Sequence, residues 1–139
     1  MLEALIFAAA TAAFDAEVIP KAQSDIAAAC GTRPNLQVQW KAFGEDDAGA
    51  QALVSSGLSF LTTAFKTVCA DPAAKAAMTT QIKKVVLTQA YGAADPIIYI
   101  SEGTLNVEYL WIKGEPAPDA KVVAAEIKSR LSGEEMEAP

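Results

Sequence analysis

The chain reads as an α+β fold, a two-layer sandwich in which a three- or four-stranded antiparallel sheet carries helices packed on one face. Three observations predict it. Residues 35–43 alternate between apolar and polar side chains; two strand-like runs, 97–101 and 104–112, meet at Glu102-Gly103; and several other segments carry apolar residues at helical spacing. The 139 residues suffice for one domain and are too few for two ordinary ones. With 52% hydrophobic and 20% charged residues, the chain has material for a core and does not have the composition of a disordered protein.

Residues 1–16, MLEALIFAAATAAFDA, differ from the rest. An apolar stretch that ends in small residues has the form of a secretory signal, with cleavage expected after Ala12 or Ala13. Glu3 and the lack of any Lys or Arg ahead of the run depart from that form. The segment therefore reads either as signal-like or as an N-terminal apolar helix. Residues 17–133 are expected to form the single domain, and 134–139 a flexible acidic tail.

Pro20 predicts the start of a helix, since a helix interior does not tolerate it. Ile19, Ala22, Ile26 and Ala29 or Cys30 follow at helical spacing, and Gly31 provides the stop. After the turn at Arg33-Pro34, the alternation of residues 35–43 puts Leu36, Val38, Trp40 and Ala42 toward the core and Gln37, Gln39 and Lys41 toward water. Gly44 closes the strand. Glu45-Asp46-Asp47 then opens what is expected to be the longest helix, with acids placed to complement its dipole. Val54, Leu58, Leu61, Phe65 and Val68 form its apolar stripe, too wide for a coiled-coil seam and suited to a core.

Asp71-Pro72 marks another helix start, with Asp as cap and Pro at the first position. The β-branched run after Gln81 predicts a strand over 81–91, with a helix as the alternative. A two-residue turn at Glu102-Gly103 pairs Ser101 with Thr104, Ile100 with Leu105 and Ile98 with Val107. That register gathers Ile97, Tyr99, Asn106 and Glu108 on the opposite face, which Leu110 and Ile112 continue. Asp119 caps a last helix whose buried side is Ala120, Val123, Ala124, Ile127 and Leu131, and Gly133 ends it.

Charge and residue content exclude several functions. Eleven basic against 17 acidic side chains give a net charge of -6, which repels a phosphate backbone, so no nucleic-acid partner is expected. A helical 81–91 would make the element order superficially similar to the first type of KH domain. The glycine-flanked basic loop that clamps a backbone there is absent, because Cys69-Ala70-Asp71-Pro72 stands in its place. No apolar run reaches the roughly 18–20 residues of a membrane-spanning helix. The chain has no histidine, the commonest general base and metal ligand. Two cysteines without C-x-x-C spacing cannot fill a tetrahedral metal site.

Cys30 and Cys69, each at a helix end, fit a disulfide; the alternative is two reduced thiols packed as small hydrophobes. At helix C-termini neither thiol gains the lowered pKa of a nucleophile. Glu45-Asp46-Asp47 reads as a helix cap, since the ligand spacing of a calcium loop is missing. Lys83-Lys84 reads as a solvated strand face or edge. No catalytic residue, cofactor or metal ligand is expected.

What remains is the outward sheet face, with Gln37, Gln39, Lys41, Ile97, Tyr99, Asn106 and Glu108 as candidate binding residues. The expectation is a small non-catalytic domain, exported to a periplasmic or extracellular space, that binds a protein or small ligand. Two alternatives are a cytoplasmic accessory subunit that docks through its N-terminal apolar helix, and an enzyme that works with carboxylates or a lysine.

Overall fold

The computed structural model describes residues 2–39, 47–89, 97–109 and 119–133. Four helices and four strands follow in the order α1 (Leu2–Cys30), β1 (Asn35–Val38), α2 (Asp47–Val68), α3 (Pro72–Gln81), β2 (Lys84–Gln89), β3 (Ile97–Ser101), β4 (Thr104–Tyr109) and α4 (Ala120–Leu131). The α+β class agrees with this order. Of the expected strand 81–91, residues 84–89 form β2; Gln81 instead ends α3, and 90–91 lie outside the described residues. Residues 40–43 of the first expected strand and 110–112 of the last lie outside the described residues.

The sheet is mixed, not antiparallel. Its strand order is β1-β2-β4-β3; β1 pairs parallel with β2, β2 pairs parallel with β4, and only β3 and β4 are antiparallel. The reason lies in the connections. Two helices, α2 and α3, carry the chain from β1 to β2, and a helical crossover returns it to the end at which it started. The link between β2 and β3 then passes over one strand position. The hairpin folds β4 back into the gap, beside β2 and running the same way.

That hairpin has the register expected from its polarity: Ser101 faces Thr104, Ile100 faces Leu105 and Ile98 faces Val107. Glu102 and Gly103 both have positive φ, 50° and 80°, as a type I′ turn requires.

Two helix expectations are corrected. α1 continues through Pro20 instead of starting there. Pro20 is exposed, whereas Ala22, Ile26 and Cys30 are buried and Val18 and Ile19 pack against the core from the other side. Packing on both flanks holds the helix across a position that lacks a backbone donor. α1, at 29 residues, is also longer than α2, at 22.

Cys30 and Cys69 form a disulfide. It joins the C-terminal end of α1 to the residue just past α2, so the two helices run side by side in the same direction. In α2 the stripe Val54, Leu58, Leu61, Phe65 and Val68 is buried, as its spacing predicts. Gly57 lets this helix approach the sheet closely: a Cβ there would stand 2.8 Å from Leu87 Cδ2.

Asp71 caps α3 by accepting from the Ala73 N–H at 3.0 Å, and Asp119 caps α4 by accepting from Lys121 N–H at 2.9 Å. The core joins these helices to Leu36, Val38, Val85, Leu87, Ile98, Leu105 and Val107, which alternate along the strands onto one face.

Candidate functional site

The opposite face of the sheet carries the candidate site. Strand pairing aligns its side chains in rows across the sheet. One row is Gln37, Val86, Asn106 and Tyr99, and the next holds Thr88, Glu108 and Ile97, with Gln39 held beside Leu87 by its backbone N–H to the Leu87 carbonyl. The structure thus brings together Gln37, Gln39, Ile97, Tyr99, Asn106 and Glu108. Lys41, the seventh expected member, lies outside the described residues, as do Leu110 and Ile112.

Gln37 and Gln39 are exposed, while Ile97, Tyr99, Asn106 and Glu108 are half-buried. Val86, at 8% exposure, forms the floor between its neighbours and stands outside the apolar cluster that the helices share.

Tyr99 and Glu108 lie diagonally across the antiparallel pair, within reach of a long side chain. The Tyr99 hydroxyl donates to Glu108 Oε1 at 3.1 Å. Burial pushes the phenol above its ordinary value near 10, and the hydrogen bond to Glu108 and its negative charge push the same way. A phenol held neutral beside a carboxylate is an orienting contact; it fixes the ring on the sheet.

The residues that sequence reasoning did not assign to this face come from β2. Val86, Thr88 and Lys84 complete the rows, and Lys84 aligns with Asn35 and Thr104. The signal was available in part, because alternation along Lys84-Val85-Val86-Leu87-Thr88 puts every second residue outward. It was masked by two adjacent valines, each buried on its own face.

A concavity of about 290 Å³ lies between α1 and α2. Ala22, Leu58 and Thr62 are buried within it, and Lys21, Asp25 and Lys66 stand among its lining residues. The Thr62 hydroxyl donates to the Leu58 carbonyl and that of Thr63 to Ser59, so both protons are committed to their own helix.

Among the described residues, no three metal-ligating side chains converge. Glu45 and Asp46 of the acidic cluster lie outside the described residues. No helix among the described residues is long and apolar enough to cross a membrane. Comparison with protein-family models, curated proteins and solved structures finds no match to this chain.

Proposed function

We propose that the protein is a non-catalytic binding domain, exported and stabilised by its disulfide, that docks its ligand on the open sheet face. The observation that carries the reading is the row Gln37, Val86, Asn106 and Tyr99, drawn from all four strands on the side away from the apolar cluster. A mixed surface of amides, a phenol and a recessed valine presents donors and acceptors on a rigid sheet. The Cys30–Cys69 disulfide supports the export half, since such bonds persist in oxidising compartments.

Replacing Tyr99→Ala together with Gln39→Ala tests the face. Retention of the native ligand should fall well out of proportion to any drop in melting temperature, because Gln39 is exposed and Tyr99 lies outside the core. Equal loss of binding and stability would make the face structural. Mass spectrometry of the natively produced protein tests export. A mature start near Ala13 or Phe14 with a two-hydrogen deficit is expected; an intact Met1 with two alkylatable thiols would overturn it.

One observation favours the accessory-subunit alternative. α1 is helical without interruption from Leu2 to Cys30, which makes its apolar beginning continuous with the part that packs on α2. In that reading residues 1–16 stay on the chain and meet a partner. The same mass measurement separates the two.

A further inference from the structure

β3 stands at the edge of the sheet, with β4 on one side and no strand on the other among the described residues. The two-residue turn makes Ser101 and Thr104 a hydrogen-bonded pair, and the bonded pairs recur at Tyr99–Asn106 and Ile97–Glu108. Ile98 and Ile100 therefore turn their N–H and C=O groups away from β4. A strand so placed is a template for another strand, and proteins blunt such edges with brevity, charge, proline or a covering element. β1, the opposite edge, is four residues long. β3 is five, and its sequence Ile97-Ile98-Tyr99-Ile100-Ser101 holds neither a charge nor a proline.

A side chain from α4 closes this edge. Arg130 Nε donates to the Ile98 carbonyl at 3.3 Å. From the same guanidinium, Nη2 donates to Glu126 Oε2 at 3.0 Å, one helical turn back. An arginine that serves only a surface ion pair keeps its head in water. The Arg130 side chain is instead 13% exposed, and the Ile98 that it bonds is 2% exposed, so it is packed in against the strand. One step along, Ile100 is half-buried, and its outward groups have no backbone partner among the described residues.

The edge is also self-complementary. About a twofold axis through Tyr99, an antiparallel copy sets Ile98 opposite Ile100 of the second copy, and Ile100 opposite its Ile98. Isoleucines then meet on the core side and tyrosines on the open side, with no like charges opposed. That pairing requires the Ile98 carbonyl to accept from the second copy's backbone, which is the position that the Arg130 guanidinium holds.

We propose that Arg130 gates this edge: seated on Ile98, it shuts a strand that otherwise pairs antiparallel with β3 of a second copy of the chain.

The test compares the full, disulfide-bonded chain with Arg130→Met, which keeps an apolar stem and loses the donors, and with Arg130→Lys, which keeps a positive charge at the edge. Light scattering gives the mass and hydrogen exchange the protection of the Ile100 amide, each from about 10 μM to 1 mM protein. Arg130→Met should double in mass toward the upper end, with exchange at Ile100 slowed about tenfold, while the wild type and Arg130→Lys keep constant exchange there. Constant mass and exchange in Arg130→Met would overturn the gate. So would association that leaves the Ile100 amide unprotected, equal association of Arg130→Lys, or the same concentration-dependent protection in the wild type. If Arg130→Met lacks the dispersed amide spectrum of a folded chain, Glu126→Ala, at an exposed position, loosens the same side chain. It then has to show the Ile100 protection, and its failure to do so overturns the gate equally.

Discussion

Tyr99 shows how one residue reports on its surroundings. Its phenol is raised by burial and by Glu108, so the folded protein holds the proton more tightly than the unfolded chain does. Its contribution to stability is therefore complete below the unfolded pKa near 10 and is lost as pH rises through the higher folded value. We expect the melting temperature to fall more steeply above about pH 10 in the wild-type protein than in Tyr99→Phe. A thermal melt series across that range checks it; parallel curves would show that the Glu108 contact has no energetic consequence. At this scale the sequence was informative where chemistry is local. Glu102-Gly103 specified a turn that needs two positive φ values, and the turn in turn placed Tyr99 beside Glu108. No local rule announced that Val86 would lie between Gln37 and Asn106, because that depends on which strand stands next to which.

Among the elements, α1 and α2 depend on each other through a covalent bond. Cys30 and Cys69 are 39 residues apart, and closing a loop of that length in the unfolded chain is worth about 4 kcal/mol by the chain-entropy estimate. The Cys30→Ala and Cys69→Ala double variant should lose stability of that order, measured by chemical denaturation with the far-ultraviolet spectrum of the folded state preserved. A loss well under 1 kcal/mol would mean that the helices hold each other without it. The caps at Asp71 and Asp119 and the stripes of α2 and α4 were readable because they rest on spacing within a single helix. Pro20 was misleading for the converse reason. The packing of Val18, Ile19, Ala22 and Ile26 outweighs a local breaker, and that packing belongs to the tertiary structure.

For the whole molecule, the strands themselves were legible and their neighbours were not. Alternation identifies a strand, but the direction of pairing follows from what connects it to the next. The α2–α3 crossover makes β1 and β2 parallel, and β4 enters between β2 and β3. One hint was present in Val85-Val86-Leu87, a continuous apolar run suited to an interior strand with neighbours on both sides. The proposed face survives the change of topology because side-chain alternation is the same in parallel and antiparallel sheets. Gln37 and Tyr99 share a row in the observed order just as they would share a face in a meander.

The late position of β4 in the chain has a consequence for biogenesis. During synthesis the thiols of Cys30 and Cys69 emerge before any residue of β2, β3 or β4, so the two helices can be locked together while the sheet is still incomplete. One flank of β2 stays unpaired until β4 stands between it and β3. A chain truncated ahead of Thr104 would keep both cysteines but expose the seam that β4 fills.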